Sequence, residues 1–411
     1  MIKAIKVRLL PTQEQEQQLW KSAGTSRWAY NWALDRQIKH FENTGKLSKT
    51  PDTVLRKELT QLKQSGELEW LYEMSNNVTK QAIKDACKAI DRFHVESKKQ
   101  GYKYRLSAIK NCRVLTFKDY NNFPRFKSKK KSKPSFYNDV VKLKVKDDSV
   151  SLEKIGWVKL SEPNRIPIGV KYTNPRISHD NKYWYISVGV DCVQQPGDIV
   201  NTGKSLGVDV GVKNTVILSN GKKYKNINKS KAIKKIKKKL KRKQRQLSKK
   251  YELSKTEIKE KVGENRYRFT KTKNIIKFEK EVKLIHRKLK NIRLNYIHQI
   301  TAEIVKTKPS RVVVEDLNIK GMMKNKHLSL AIAEQCLSML IAILGYKCCW
   351  NGIDFVKADR WYPSSKKCSS CGAIKRDLKL SYRVFVCNDC SLTIDRDINA
   401  SVNLSNYQLA S

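Results

Sequence analysis

Four cysteines near residue 380 constrain the fold of this chain more than any other feature. They form two Cys-x-x-Cys pairs, Cys368 with Cys371 and Cys387 with Cys390, with fifteen residues between the pairs. This spacing suits four thiolates arranged around one Zn²⁺ ion in a small ribbon. Gly372 follows the first pair, where a tight turn is needed. A redox-active pair would not need to occur twice, and four protein ligands leave no open position, so the sequence predicts one structural zinc ion.

The other six cysteines have no metal-ligand spacing. They are Cys87, Cys112, Cys192, Cys336, Cys348 and Cys349. Cysteines in an intracellular chain of 411 residues do not indicate a disulfide framework. We therefore expect these six to be buried structural thiols.

The charge of the chain indicates a polyanionic partner. It has 86 Lys and Arg against 38 Asp and Glu, a net charge of +48, and such a surface repels itself unless an anion covers it. Nucleic acid fits this excess better than an anionic membrane does. The first residues lack the apolar core of a secretory signal, and the longest near-apolar stretch, 337–346, is half the length of a membrane span. We expect a cytoplasmic, nucleoid-associated protein with no membrane partner.

The first half of the chain combines a helical segment with a small β-domain. Residues 2–10 alternate basic and apolar side chains as a strand does, and Thr12 to Gln15 is typical of a capping box that opens a helix. The pattern stays helical to about residue 110, and a basic loop with prolines follows at 121–136. The strands predicted after it span 140–145, 149–152, 157–160 and 182–190. The first strand can join this β-domain across the helical insertion.

The second half alternates strands and helices. Residues 205–210 and 215–218 predict a hairpin, and residues 222–250 contain 16 Lys or Arg and no acid. Apolar residues in that run form a thin helical stripe, and residues 272–306 predict a second helix. We expect these two helices to pair as an antiparallel hairpin. Further along, the sequence predicts a strand at 311–317, a helix at 328–346 and a strand at 355–358.

Three acidic residues follow apolar segments of this second half. Asp209 lies mid-strand between two valines, where an unpaired charge costs free energy unless it binds a partner or a metal. Glu315 ends the run Val312 to Val314, and Asp397 opens the segment Asp-Arg-Asp-Ile-Asn-Ala. Taken singly, each has an ordinary explanation, such as a turn, a solvated strand end or a favourable first turn of a helix.

Together the three acids suggest a nuclease. An acid on a hairpin strand, a second at the end of a later strand and a third at the start of a following helix is the order of an RNase H-like nuclease. Clustered carboxylates can hold two Mg²⁺ ions about 4 Å apart, which activate water and stabilise the leaving oxygen during phosphodiester hydrolysis. Asp395, two residues before Asp397, is the alternative third acid.

Four motifs in this order resemble the TnpB family of transposon-encoded RNA-guided nucleases. They are Gly-Val-Asp-Val-Gly at 207–211, Val-Glu-Asp-Leu-Asn at 314–318, Ser-Ser-Lys-Lys-Cys-Ser-Ser-Cys-Gly at 364–372 and Asp-Arg-Asp-Ile-Asn-Ala at 395–400. Looser matches at Arg27 to Asn31 and at Phe123 to Lys127 extend the resemblance over the whole chain. In the family the third catalytic acid corresponds to Asp397, and the catalytic motifs here show no departure.

The resemblance implies a multidomain α+β protein. Residues 1–11 and 116–200 would form a wedge β-barrel, and residues 12–115 a helical recognition lobe inserted in it. Residues 201–411 would form an RNase H-like, or RuvC-like, α/β nuclease domain with a basic helical hairpin insert at 221–306 and a zinc ribbon at 364–392. The partners implied are a guide RNA from the end of the element and double-stranded target DNA next to a short motif. A bacterial or archaeal monomer is expected, with a dimer as the alternative.

Three sets of residues are candidate nucleic-acid contacts. The basic run suggests Lys234, Lys238, Lys241, Arg242 and Arg245, because sixteen cations without an acid cannot neutralise each other. The loop at 121–136 suggests Arg125, Phe126 and Lys127, which combine charge with stacking capacity. By position, the resemblance adds Gln81, Ser135 and Phe136 as residues near a duplex-reading surface.

Three other functions compete with an RNA-guided endonuclease. An RNA-guided DNA-binding repressor would not need the intact acids. A transposase that joins the ends of its own element would be expected to show a recombinase arrangement of Tyr or Ser with His residues, and none is evident. A guide-free, structure-specific nuclease would not need the first half of the chain.

Overall fold

A computed structural model describes residues 2–44, 50–100, 120–191, 202–258, 266–379 and 382–408. The chain divides into two compact units, Met1–Gln195 and Pro196–Ser411. We call them the first and the second unit and describe each by itself. Cys112, Cys192 and the predicted domain boundaries at 115/116 and 200/201 lie outside the described residues.

The first unit contains a seven-stranded sheet in the order β2-β6-β7-β1-β5-β4-β3. As expected, the first strand joins it across the helical insertion, because β1 is antiparallel to both β7 and β5. The strands are β1 (Ile2–Leu10), β2 (Ser135–Tyr137), β3 (Lys144–Val145), β4 (Ser149–Leu152), β5 (Gly156–Leu160), β6 (Tyr172–His179) and β7 (Trp184–Asp191). No described pairing joins β2 to β3, so closure of this sheet into a barrel stays a prediction.

Some predicted strand boundaries of this sheet are wrong. Of the predicted strand 140–145, only the last two residues pair, and β7 starts at Trp184 rather than at residue 182. The prediction did not include β6, whose Pro175 is a residue that strand interiors seldom accept. The register of β6 with β7 shifts between Thr173 and Arg176, and this bulge accommodates the proline.

The helices of the first unit are α1 (Gln13–Thr44), α2 (Asp52–Gln64) and α3 (Asn76–Gln100), with a 3₁₀ turn at Glu69–Glu73. The predicted capping box is present, since the backbone N–H of Gln15 donates to Thr12 Oγ1 and that of Thr12 donates to Gln15 Oε1. Leu34, Leu55 and Ile83 belong to the helical core. The sheet has its own core, to which the start of α1 contributes.

The second unit contains a five-stranded sheet in the order β10-β9-β8-β13-β14. Its strands are β8 (Ser205–Val210), β9 (Asn214–Leu218), β10 (Lys223–Lys225), β13 (Arg311–Glu315) and β14 (Asp354–Ala358). The predicted hairpin is β8 with β9, and β10 extends it antiparallel. β13 lies parallel to both β8 and β14, so three antiparallel strands are followed by two parallel ones.

Helices cover both faces of this sheet. On one face lie α5 (Lys273–Lys306) and α8 (Leu337–Trp350), which share a core with Val312 and Val314. On the other face, α9 (Arg396–Ser405) packs Leu404 against Val313. Alternate valines of β13 therefore fill the two opposite cores.

The basic run forms α4 (Lys231–Leu253), which pairs with α5 as the predicted antiparallel hairpin. Lys243 bonds Glu281 at 2.7 Å, and further from the sheet Tyr251 bonds Glu279. Two short strands, β11 (Lys255–Ile258) and β12 (Arg266–Phe269), lie at its tip. At its base, Lys237 and Arg293 both pair with Glu334.

The predicted helix at 328–346 is two helices rather than one. They are α7 (Ser329–Gln335) and α8, and Cys336 between them has a left-handed conformation with φ 54°. A short helix, α6 (Ile319–Met322), precedes them. The segment Ser329–Trp350 is long and apolar enough to cross a membrane by length and composition. Its break at Cys336 and the burial of Leu337, Leu340 and Leu344 in the core favour a core element of the unit.

The scattered cysteines differ in exposure. Cys87 and Cys348 are buried as expected, and burial raises the pKa of the Cys348 thiol to about 12. Cys336 is half-buried. Cys349 is exposed, so the expectation of a buried thiol is wrong there, because it lies on the side of α8 that faces away from the core.

Candidate catalytic site and zinc centre

Two of the predicted acids lie on neighbouring parallel strands. β13 pairs with β8 from Arg311 opposite Ser205 to Val314 opposite Val208. The same register, continued by one residue, places Glu315 beside Asp209. Adjacent strands are about 4.8 Å apart, so the two carboxylates meet at one edge of the sheet although 106 residues separate them.

Gly207 determines how closely α9 approaches these strands. A Cβ atom at Gly207 would lie 1.8 Å from the backbone oxygen of Ser401 and 2.5 Å from the backbone nitrogen of Ser405. Only a glycine therefore permits this contact between strand and helix backbones. Gly207 and Asp209 share a face of β8, and Asp397 lies one helical turn before Ser401. The contact thus brings Asp397 toward Asp209.

The electrostatics of the site agree with this placement. Burial, followed by the negative charges of Asp397 and Glu315, raises the pKa of Asp209 to about 7, and Arg396 partly offsets the effect. Burial also raises the pKa of Glu315. A buried carboxylate whose ionisation is opposed by two neighbouring acids suits divalent cations, which prefer oxygen ligands.

Asp395 has a different role from Asp397. Its carboxylate accepts hydrogen bonds from the backbone N–H groups of Asp397 and Ile398 and so caps the start of α9. Lys223 bonds it at 2.7 Å. Burial alone would raise the pKa of Asp395, but these bonds outweigh it and lower the pKa. Asp395 is therefore the helix cap, and Asp397 is the acid whose negative charge raises the pKa of Asp209.

The four cysteines converge into one cluster. All four Sγ atoms lie within 4.8 Å of one another, with Cys368 and Cys390 3.6 Å apart and Cys371 and Cys387 3.5 Å apart. Tetrahedral Zn–S bonds of about 2.3 Å place sulfurs about 3.8 Å apart, so the cluster fits zinc. Gly372, with φ 81°, makes the predicted tight turn. Two strands, β15 (Val384–Val386) and β16 (Thr393–Asp395), complete the ribbon, and β16 leads directly into α9.

Two buried asparagines connect this ribbon to α9. Asn399, with 0% exposure, accepts a hydrogen bond from Ser369 N at 2.9 Å and donates to Lys367 O at 2.7 Å. Asn403 donates to Lys367 O at 2.6 Å and to Ser364 O at 2.8 Å. The helix that carries Asp397 is thereby fixed to the first cysteine pair.

Sequence reasoning assigned no role to these asparagines. Their i, i+4 spacing beside Ala400 and Leu404 puts polar groups on a buried helix face. That pattern is the signal that could have identified them. Arg396, which bonds Asp397 at 3.3 Å, was also missed.

A cavity of about 460 Å³ opens beside Glu315. Apolar walls come from Leu317, Ile341 and Phe355, and positive charges at its rim come from Lys320, Lys357 and Arg360. Arg360 is held by Asp316 at 2.6 Å. Apolar walls beneath a cationic rim suit the base and the phosphate of a nucleic-acid strand.

The predicted nucleic-acid contacts lie in both units. In the second unit, the five basic side chains predicted on α4, Lys234, Lys238, Lys241, Arg242 and Arg245, are all exposed. In the first unit, Arg125, Phe126 and Ser135 are exposed, Gln81 and Lys127 are half-buried, and Gln81 donates to Asp85 at 2.9 Å.

The prediction for Phe136 is wrong. Its side chain is 2% exposed and packs 6.5 Å from the ring of Trp184 in the sheet core. β2 presents Ser135 and Tyr137 on its other face, so the residue that can meet a ligand is a neighbour of Phe136.

Three family models match the chain. A "Helix-turn-helix domain" of the OrfB_IS605 type matches residues 1–46, the OrfB_IS605 model described as "Probable transposase" matches residues 187–326, and a "Cas12f1-like, TNB domain" matches residues 338–404. The last match spans the zinc cluster and α9. The matches show that the chain is similar to OrfB-type proteins and, around the cysteine cluster, to the Cas12f1-like TNB domain.

Individual relatives agree with this class. A curated protein of Streptomyces pristinaespiralis, named provisionally as an RNA-guided DNA endonuclease, is 27% identical over 406 residues, covering 98% of this chain and 88% of that protein. A TnpB-like protein of Methanocaldococcus jannaschii is 31% identical over 118 residues, 27% of this chain and 41% of that protein. The structure of a mini-RNA-guided endonuclease, CRISPR-Cas_phi3, matches with a TM-score of 0.51 and 10% identity over 99% of this chain and 92% of that one, a likeness of fold. Over nearly its whole length the chain is therefore similar to proteins of the TnpB family.

Proposed function

We propose that this protein is an RNA-guided DNA endonuclease that hydrolyses DNA at the acid cluster of its second unit. The observation that carries the proposal is the convergence of Asp209, Glu315 and Asp397 from two neighbouring strands and one helix. The sheet order, with three antiparallel strands followed by two parallel ones and helices on both faces, supports an RNase H-like, or RuvC-like, nuclease domain.

Asp209, Glu315 and Asp397 would hold the two Mg²⁺ ions. The residues fit such ions because burial, followed by the negative charges of Asp397 and Glu315, raises the pKa of Asp209 to about 7, a penalty that bound cations remove. Bound Mg²⁺ would activate water and stabilise the leaving oxygen of a phosphodiester. The protein's part is to orient the three carboxylates, with Arg396 beside Asp397 as the resident counter-charge. Zinc, held by the four cysteines, would be structural.

The rest of the second unit supplies the surface for a nucleic-acid substrate. The cavity beside Glu315 would take part of the strand to be cut. The exposed face of α4 would bind phosphates, because its cations greatly outnumber the acids of α5 that pair with them. The name of the Streptomyces relative, an RNA-guided DNA endonuclease, supports a guide RNA and a DNA target as the partners, and we propose that the target is double-stranded.

Isolation of the protein from its host tests the guide directly. RNA that copurifies would be sequenced and the complex offered linear duplex DNA that matches the variable end of that RNA. We expect a defined RNA and Mg²⁺-dependent cleavage of the matching duplex alone. Absence of a defined RNA, or equal cleavage of unmatched DNA, contradicts the proposal. Joined DNA ends without added RNA would instead support a transposase.

A further inference from the structure

A small basic cavity in the first unit is lined by residues far in sequence from the acids. Its volume is about 140 Å³, and it lies between α1 and the loop that leads into β2. Three of its lining residues are cations, Arg27, Lys127 and Lys133. Three more carry hydroxyl groups, Ser26, Ser132 and Ser135, and only Ala23 and Pro134 complete the lining. No acid lines it.

The cavity is held in shape by hydrogen bonds on both sides. The side chain of Asn31 donates to Lys127 O at 2.8 Å and accepts from Lys127 N at 2.7 Å, which fixes the loop to α1. At the other end, His179 N donates to Pro134 O at 3.0 Å and Lys133 Nζ bonds Ser178 Oγ at 3.1 Å. The loop that carries Lys127 and Lys133 is therefore fixed to α1 and to β6 before any ligand binds.

Two of the cations that line the cavity, Arg27 and Lys127, offer positive charge to an anion. The Lys127 ammonium lies 3.5 Å from the centre of the Tyr30 ring, and burial lowers the pKa of Lys127. The acid that acts on it, Asp85, is already bound by both guanidinium nitrogens of Arg176, at 2.7 and 3.0 Å, and by Gln81. Within the described residues, neither Arg27 nor Lys127 forms an ion pair with a carboxylate.

We infer that this cavity binds one phosphate group of a nucleic-acid backbone. Its volume is well below the 300 Å³ or so at which pockets begin to take whole small molecules, so it fits a single anionic group and excludes a base. Arg and Lys donors together with hydroxyl groups are the usual partners of backbone phosphates, and such contacts set position without reading sequence. The inference rests on the proposed function in that the phosphate belongs to the guide RNA or to the target duplex.

Binding measurements on the full-length chain carrying Asp209→Asn test the inference without cleavage. Affinity would be measured for the copurified RNA, and for duplex DNA by the RNA-loaded protein, at several salt concentrations. Arg27→Ala and Ser135→Ala remove lining groups, and Ser135 is exposed, so its loss should not affect folding. Lys130→Ala is the matched control, because Lys130 is an exposed cation of the same loop outside the cavity.

We expect Arg27→Ala to weaken binding about ten-fold, as loss of a charged hydrogen bond does, and to lower the slope of log affinity against log salt by roughly 0.7–0.9. Ser135→Ala should have a smaller effect in the same direction, and Lys130→Ala should change affinity less than about two-fold. An effect on RNA binding alone identifies a guide phosphate, and an effect on DNA binding alone identifies a target phosphate.

Three results distinguish failure of the inference from failure of the proposed function. If Arg27→Ala and Ser135→Ala match Lys130→Ala for both nucleic acids, the cavity binds no phosphate, whatever the protein cleaves. If they weaken binding but the wild-type protein does not cleave guided DNA, the inference stands and the nuclease proposal fails. Binding of neither RNA nor DNA by the wild-type protein would overturn both.

Discussion

The two candidate metal centres of the second unit are built in opposite ways. The cysteine cluster takes its ligands from 23 consecutive residues, Cys368 to Cys390, so its geometry follows from two local turns. The acid cluster takes its ligands from residues 209, 315 and 397, so it exists only when β8, β13 and α9 are packed correctly. The first centre can therefore be recognised from spacing, whereas the second depends on tertiary structure.

The two centres are nevertheless connected. Asn399 and Asn403 bond the turn that carries the first cysteine pair, and both lie on the helix that carries Asp397. The cysteine cluster therefore supports the acid cluster. Variants that remove a metal ligand, a contact that holds α9 or the cap of α9 should differ in the size of their effect on DNA cleavage.

Loss of a catalytic acid should have the largest effect. Asp209→Ala, Glu315→Ala and Asp397→Ala should each reduce guided DNA cleavage on the order of 10³-fold or more, since metal-assisted charge stabilisation contributes several kcal/mol. RNA and target binding should stay close to wild type. Asp395→Ala is the matched control, and we expect it to lower stability by about 1 kcal/mol through loss of the helix cap with a much smaller effect on cleavage. Retained cutting by Asp397→Ala, together with loss in Asp395→Ala, would reverse the assignment.

Removal of zinc should come next. Cys371→Ser or a strong chelator should release one zinc per chain, measured by elemental analysis, and lower the melting temperature of the second unit. Cleavage should fall with it, because α9 loses its support, while binding of RNA should fall less. Cys349→Ser is the control, since Cys349 is exposed and outside the cluster. Full cleavage by zinc-free protein would show that the two centres are independent.

Gly207→Ala should separate α9 from β8. The added Cβ meets backbone atoms that cannot rotate away, so overpacking should cost about 1–3 kcal/mol. If half or more of that free energy displaces Asp397 from the site, cleavage should fall roughly ten-fold and should need a higher Mg²⁺ concentration. Gly211→Ala in the same motif is the control, because its Cβ would lie 3.4 Å from Asn214 O and calls for little movement. Equal activity of the two variants would mean that the strand–helix contact does not position the site.

Asn399→Ala should have a smaller effect than Gly207→Ala. It leaves Ser369 N without its buried partner, while Lys367 O keeps the bond from Asn403, at a cost of about 1–3 kcal/mol shared between stability and cleavage. The exposed Asn406, beyond the end of the same helix, provides the control variant Asn406→Ala, which should stay within about 0.5 kcal/mol. Equilibrium unfolding measures both. Similar losses of stability in Asn399→Ala and Asn406→Ala would show that Asn399 does not connect the cysteine cluster to α9.

The last prediction concerns stability alone, which should depend on pH when Mg²⁺ is absent. The pKa of Asp209 is about 7 in the folded protein and about 3.9 in an unfolded chain, so the folded state binds the extra proton between these values. Its contribution to stability is therefore complete below about pH 4 and is lost as pH rises through 7. We expect the melting temperature measured without Mg²⁺ to fall over this range more in the wild type than in Asp209→Asn. An equal fall of the melting temperature in both proteins would show that other titratable groups cause it.

The sequence predicted the parts of the fold that follow from local pattern. The capping box at Thr12, the hairpin β8–β9, the paired helices α4 and α5 and the cysteine cluster all follow from spacing or periodicity. The errors occur where tertiary packing determines the local structure. Pro175 is accommodated by a bulge, Cys336 breaks a continuous apolar helix, and Phe136 faces the core because a strand buries alternate residues.

The candidate site shows the same division. The order of the acids along the chain suggested that they meet, but their proximity depends on the register of β8 with β13 and on a glycine contact that no local pattern reveals. The choice of Asp397 over Asp395 first came from resemblance. In the structure it has a physical reason, because the carboxylate of Asp395 is occupied in capping α9.

The central claim is that Asp209, Glu315 and Asp397 form one divalent-cation site. Anomalous scattering from Mn²⁺ in crystals of the full-length protein with its RNA and a target DNA tests it most directly. We expect two Mn²⁺ ions about 4 Å apart, both contacted by these carboxylates and neither by Asp395, with both peaks lost in Asp209→Asn. Ions bound without one of the three acids, or centred on Asp395, would contradict the account.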